Sequence, residues 1–215
     1  MLFVADLSAS SEFGSVRRTK RDLITEVCAV LALAAARSND RVGAVFATDR
    51  VEHYVAPRKG RRQALRVISD LLAFQPARPG TDLGAALAYL EPMIRRRAVV
   101  FLLSDFLGSG HEPPLARLAR RHDLIAIQAT DPRERALPDV GLVTLWDPES
   151  GNWRVVNTGD DGVRERFRSR TAAFDAALER TLAESGADLL RLETGQSYAE
   201  PLLAFFRRRE SMLWR

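Results

Sequence analysis

Leu2-Phe3-Val4-Ala5-Asp6-Leu7-Ser8-Ala9-Ser10 is the stretch on which the reading of the whole chain turns. Its apolar start has the pattern of a strand buried on both faces, as in a parallel sheet. Asp6, Ser8 and Ser10 then set an acid and two hydroxyls at every second position at the mouth of that strand. Such oxygens are hard donors that suit Mg²⁺ (or Mn²⁺ or Ca²⁺) far better than Zn²⁺ or copper. Two later segments echo the arrangement. Gly80-Thr81-Asp82 opens one predicted helix, and Ser104-Asp105 closes the apolar run Val99-Val100-Phe101-Leu102-Leu103. Sequence-distant oxygen donors at strand and loop ends are what one divalent-ion site on an α/β sheet needs.

Outward from that stretch, strand and helix patterns alternate, which predicts an α/β fold: a doubly wound, Rossmann-like, mostly parallel sheet with helices on both faces. Residues 2–5 read as a buried strand. Thr19-Lys20-Arg21-Asp22 has capping-box spacing ahead of a helix over 23–36. Residues 41–48 and 51–55 read as strands whose short link forces antiparallel pairing, since a parallel return needs a crossover of about a dozen residues. Helices are expected over 62–74 and 82–95, flanking a Pro/Gly loop at 75–80. A buried strand follows over 98–103, a helix over 114–121 and a strand over 124–129. Residues 141–146 and 153–157 flank a hairpin turn at 147–152. A long helix over 162–185, a strand over 188–192 and a helix over 198–209 complete one domain, residues 1–215.

The chain has 215 residues, 46% hydrophobic and 28% charged, an ordinary soluble-globular composition. Its single cysteine, Cys28, excludes an internal disulfide or a cysteine metal site, and its apolar neighbours predict a buried, inert thiol. Net charge is +4, and the excess sits in short arginine runs such as Arg95-Arg96-Arg97 and Arg207-Arg208-Arg209. None is interleaved with aromatics as a single-strand binder requires, so nucleic acid is not the expected partner. No stretch reaches the ~18 apolar residues of a membrane span, and Asp6 interrupts the first apolar run, so no signal peptide is evident. The expectation is a cytoplasmic protein, or the soluble part of a longer membrane-anchored one.

In open α/β sheets, ligands bind beyond the carboxyl ends of the strands where the strand order reverses. If the strands ending at Asp6 and Asp105 flank that point, both acids face one crevice. Held ~5 Å apart at an effective dielectric of ~20, they would repel by about 3 kcal/mol. A divalent cation removes that penalty. The alternative is that Ser8, Ser10 and Asp105 only cap a helix or turn.

Asp6-Leu7-Ser8-Ala9-Ser10, Gly80-Thr81-Asp82 and Leu102-Leu103-Ser104-Asp105-Phe106 together resemble the metal-ion-dependent adhesion site of a von Willebrand factor type A (VWA) domain. More narrowly, the chain resembles the bacterial family called domain of unknown function 58. The features are Phe13-Gly14-Ser15, Asn39-Asp40-Arg41-Val42-Gly43, Arg58-Lys59-Gly60-Arg61-Arg62, Leu137-Pro138-Asp139-Val140-Gly141 and Tyr198-Ala199-Glu200-Pro201-Leu202. The resemblance implies a six-stranded sheet with 51–55 as its antiparallel edge, and Mg²⁺ or a similar ion held by Asp6, Ser8, Ser10, Thr81 and Asp105. It also implies that a partner protein's Asp or Glu completes the coordination, and it suggests an adaptor for an AAA+ ATPase of the MoxR type. Ser11 departs from the Met often found there in type A domains and leaves the ligands intact.

Read as an enzyme, the chain is a weaker fit. A Mg²⁺-dependent phosphoryl hydrolase of the haloacid-dehalogenase type also begins with an acid after its first buried strand, but carries a second acid two residues later. Here that position is Ser8. His53, His111 and His122 are expected in the edge strand, in a loop and at a helix end, as surface or capping residues rather than general bases. No glycine-rich phosphate loop is present. Trp146 and Trp153 are expected to pair across the hairpin. The expected function is therefore a metal-dependent protein-interaction module without catalytic activity.

Overall fold

The computed structural model describes residues 1–77, 80–147 and 151–213. Six strands, β1 (Leu2–Asp6), β2 (Arg41–Ala47), β3 (Val51–Lys59), β4 (Val99–Ser104), β5 (Asp123–Thr130) and β8 (Asp188–Glu193), form one sheet in the order β3-β2-β1-β4-β5-β8. All neighbours are parallel except β2 and β3, which pair antiparallel at the edge. A separate hairpin, β6 (Leu142–Asp147) with β7 (Asn152–Asn157), stands apart from the sheet. Its turn residues 148–150, like 78–79 of the Pro/Gly loop, lie outside the described residues.

Alternation of side chains along each strand sends successive residues to opposite faces, and each face is covered. Phe3, Ala5, Phe101, Leu103, Ile125 and Ile127 meet helices α1 (Lys20–Arg37), α2 (Arg61–Ala73) and α7 (Ala199–Leu213). On the other face, Leu2, Val4, Val100, Leu102, Leu124 and Ala126 meet α3 (Leu83–Leu90), α4 (Glu112–Arg121) and α6 (Asp161–Ser185). The result is the doubly wound α/β sandwich that the sequence predicts. The α1 capping box forms as its spacing implies: Asp22 N donates to Thr19 Oγ1 at 3.1 Å and Thr19 N donates back to Asp22 Oδ2 at 2.9 Å.

Local differences have local causes. β3 continues past Val55 to Lys59, because its tail pairs with Arg41 and Val42 beyond a register shift in β2. α3 ends at Leu90 rather than near residue 95: Pro92 has no N–H to donate to the Ala88 carbonyl. Two short elements carry too little periodicity to be read in advance, a 3₁₀ turn over Ala9–Glu12 and the one-turn helix α5 (Pro132–Arg135).

Candidate metal centre

β1 pairs with β2 on one side and β4 on the other, so the strand order reverses between β1 and β4. Asp6 is the last residue of β1, and Asp105 follows the last residue of β4. Because the two strands are parallel neighbours, both acids emerge at the same sheet edge. Both are nearly enclosed, at 2% and 4% exposure. Asp6 accepts from Ser8 N at 3.1 Å and from Ser104 Oγ at 2.5 Å. Ser104 in turn accepts from Phe106 N at 2.9 Å. The sequence reading passed over Ser104 as a site residue, although it stands in the quoted motif.

Ser8 occupies the N-cap position of the 3₁₀ turn, yet its side chain makes no cap hydrogen bond. Its hydroxyl instead lies 3.1 Å from that of Ser10. Adjacent ligands of an octahedral ion with bonds near 2.1 Å lie about 3 Å apart. The pair is therefore spaced as two neighbouring ligands would be. The capping alternative does not account for Ser8. It holds in part for Asp105, whose Oδ1 accepts from Leu107 N at 3.1 Å in a local turn.

Thr81 arrives from the loop before α3. Asp82 N donates to Thr48 O at 3.0 Å, tying that loop to the end of β2, and the Asp82 carboxylate caps α3 at Ala85 N. The half-buried Thr81 turns its methyl toward Gly108, where an added Cβ would meet it at 3.7 Å. Asp6, Ser8, Ser10 and Asp105 thus gather at the switch point, with Thr81 entering beside the loop that follows Asp105. Among the described residues no group of three His, Cys, Asp or Glu side chains is placed to hold a metal, so an ion here would rely on hydroxyls and two carboxylates.

The charge balance is unusual. Burial, and after it the neighbouring charge of Asp105, push the Asp6 carboxyl up to about 6, against the pull of its hydrogen bonds from Ser104 and Ser8. Asp105 is answered by a residue that the sequence reading did not single out. Lys20, fully buried at the start of α1, places Nζ 2.6 Å from Asp105 Oδ2 and 2.5 Å from Glu134 Oε1. Burial alone would lower the Lys20 pKa, but Asp105 and Glu134 outweigh it and the net shift is upward. Burial raises the pKa of Glu134, Lys20 opposes that, and Asp105 adds to it. A capping-box lysine ordinarily points to solvent, so only the tertiary packing reveals its role.

A second layer of hydrogen bonds fixes Glu134. Asp131 N donates to Glu134 Oε2, and the Asp131 carboxylate accepts from Ser15 N at 2.8 Å, Ser15 Oγ at 2.5 Å and Thr194 Oγ1 at 2.6 Å. Gly14 makes this possible, because a Cβ there would lie 2.4 Å from the Arg18 carbonyl oxygen. The motif Phe13-Gly14-Ser15 therefore braces the site from behind.

The histidines take no part in it. His53 pairs with Asp70 at 3.1 Å. His111 and His122 sit at the N- and C-cap positions of α4, but both are buried rather than at the surface, and His111 packs edge-on against Phe106. Cys28 is buried, which drives its thiol pKa upward. Trp146 and Trp153 stand opposite each other in the hairpin with centroids 4.8 Å apart, as expected, and stay largely exposed.

The fold is shared with solved structures of low identity. The conserved hypothetical protein BatB from Bacteroides thetaiotaomicron matches with a TM-score of 0.64 at 14% identity, covering 100% of this chain and 98% of its own. An aerotolerance-related membrane protein from Bacteroides fragilis matches with a TM-score of 0.59 at 14% identity, over 90% of each chain. Uncharacterized protein Rv1480 from Mycobacterium tuberculosis is 35% identical over 205 residues, covering 94% of this chain and 64% of that protein. Uncharacterized protein MAV169 from Mycobacterium avium is 34% identical over 158 residues, 72% of this chain and 93% of its own. This chain thus spans less than two thirds of the length of the Mycobacterium tuberculosis relative. The model described as "Protein of unknown function DUF58" matches residues 1–177, and the chain belongs to that family.

Proposed function

We propose that this protein is a metal-ion-dependent interaction module of the von Willebrand factor type A kind, without enzymatic activity of its own. Asp6, Ser8, Ser10, Thr81 and Asp105 would hold Mg²⁺ or a similar hard dication. When bound, the ion supplies an open coordination position for an Asp or Glu side chain of a partner protein. An AAA+ ATPase of the MoxR type is the partner class the resemblance suggests. The single observation that carries the reading is the pairing of the Ser8 and Ser10 hydroxyls, 3.1 Å apart, with Ser8 making no cap hydrogen bond, at a switch point where two carboxylates are buried together. Lys20 answers Asp105 and Glu134, which leaves the buried Asp6 without a cation among the described residues, and a hard dication between the hydroxyls and the two acids would supply one.

The residues themselves do the positioning. Ser104 and the Ser8 amide orient Asp6, while Lys20 and the Leu107 amide orient Asp105. A phosphoryl hydrolase would need a free proton-transfer group, and Lys20 and Glu134 are committed to each other. The test is capture of partners from native lysate by the immobilised chain, with Mg²⁺ and with excess chelator, beside calorimetric titration of Mg²⁺. Asp6→Ala is expected to abolish both the metal isotherm and the Mg²⁺-dependent capture while leaving the circular dichroism spectrum unchanged. Capture that persists in chelator, or an unaltered isotherm for Asp6→Ala, overturns the proposal.

A further inference from the structure

Beside the candidate metal centre a groove of about 650 Å³ opens between α6, the loop after α5 and the inner face of the β6–β7 hairpin. Asp105 and Leu107 line its near end, so it is continuous with the site. Its walls are apolar: Leu137, Leu145, Val156, Val163, Phe167 and Phe174. The last three fall at i, i+4 and i+11 along α6 and so share one helix face. Arg166 and Arg170 stand one turn apart on the same helix and line the groove as well.

The charges around the groove do not balance. Every acid that lines it already has a cation: Asp105 and Glu134 share Lys20, and Asp175 holds Arg135 at 2.7 Å. Arg166 and Arg170, both exposed, make no ion pair among the described residues, whereas Arg164 and Arg168 of the same helix pair with Asp161 and Glu165. Two like charges at i and i+4 disfavour a helix when nothing answers them. The groove therefore combines an apolar wall with surplus positive charge. It calls for an occupant that is apolar and anionic at once.

We propose that this groove is a second anchoring point for the same protein partner, taking an acidic peptide segment that carries a large apolar side chain. The apolar side chain lies against Phe167, Phe174 and Val156, and a flanking carboxylate pairs with Arg166 and Arg170. This inference rests on the proposed metal-dependent docking, since continuity with Asp105 is what makes the two contacts part of one interface. Two linked contacts bind more tightly than either alone, because the second engages at a high effective concentration. A bidentate arginine–carboxylate pair also fixes the register of the segment.

The probe is a fluorescein-labelled, end-capped hexapeptide of sequence GLFEEG, read by anisotropy against the full chain up to 1 mM protein in excess chelator. GLFKKG and GSSEEG serve as controls. The expected result is saturable binding of GLFEEG, at least tenfold weaker binding of both controls, and a similar loss with R166Q/R170Q. Both arginines are solvent-exposed, and an unchanged melting curve confirms that the variant folds. V156E, on the hairpin strand β7 rather than on α6, is expected to cause the same loss. Absence of saturable GLFEEG binding, equal binding by R166Q/R170Q, or equal binding of either control overturns the proposal. The assay contains no free dication, so it reads the groove without the metal. Failure of the metal reading therefore shows in the Mg²⁺ isotherm and the lysate capture, and failure of the groove shows in this chelated assay.

Discussion

Lys20→Met tests whether the candidate site is an electrostatic cluster or a set of coincidental hydrogen bonds. The ammonium it removes is fully buried and lies 2.6 Å from one carboxylate and 2.5 Å from another. Taking charge centres ~4 Å apart and an effective dielectric of ~20, each pair contributes about 4 kcal/mol. Burying the ammonium costs several kcal/mol, so the two attractions, about 8 kcal/mol together, are only partly offset. The difference falls near the 3–5 kcal/mol typical of breaking a buried pair. For a chain of this length that corresponds to a melting point lower by about 6–20 °C. Urea unfolding followed by circular dichroism at pH 7.5 in chelator measures the loss. If the acids cluster as described, Mg²⁺ should also stabilise Lys20→Met more than the wild type, because the ion then answers charges that Lys20 otherwise neutralises. Saturation at 100 times the dissociation constant contributes about 2.7 kcal/mol. Removing one acid as well, in Lys20→Met/Glu134→Gln, should recover part of the loss. A loss below about 1 kcal/mol together with an unchanged response to Mg²⁺ would refute the reasoning.

Further outcomes follow from the same geometry. The Asp6 pKa is raised to about 6 from 3.8, so its contribution to metal-free stability is present in full below pH 3.8 and disappears as pH rises through 6, on the order of 3 kcal/mol in all. Unfolding measured from pH 4 to 7 in chelator should show that decline, and Asp6→Asn should flatten it. Asp131 works in the opposite sense: burial raises its pKa, but hydrogen bonds from Ser15, Thr194 and Arg133 bring it below 3.8 on balance, so its support is lost only at lower pH. Asp131→Ala strands the Ser15 and Thr194 donors and should cost about 2–3 kcal/mol in denaturant titration; a loss under about 0.5 kcal/mol would show that the brace is dispensable. Ser8→Ala/Ser10→Ala should weaken Mg²⁺ binding at least tenfold by calorimetry with little change in melting temperature, since neither hydroxyl caps the turn. An isotherm like the wild type's counts against those hydroxyls as ligands.

Legibility in the sequence followed the length and regularity of the signals. Residues 2–5, 41–48 and 98–103 are long apolar runs, and their strands formed within a residue or two of expectation. The antiparallel edge was forced by a link too short for any crossover. The 3₁₀ turn at Ala9–Glu12 and the single turn at Pro132–Arg135 have no such period and were invisible. In the candidate site, Asp6, Ser8, Ser10 and Asp105 could be singled out because each follows a readable strand. Ser104, at the end of the strand that carries Asp105, was within reach of the same criterion. Lys20 and Glu134 were not: a lysine in a capping box and a glutamate in a one-turn helix are both ordinary at solvent-exposed positions.

The sequence by itself therefore determined the alternation of elements and the sheet's single antiparallel edge, and it marked out the candidate oxygen donors, because these depend on local periodicity, on the reach of short links and on which polar residues follow a strand. Which acids meet, which cation answers them and which arginines are left unmatched beside an apolar groove were decided only by the tertiary structure. Electrostatic pairing acts over a few ångströms between groups up to 114 positions apart in the chain, as Lys20 and Glu134 are. No local pattern encodes that distance.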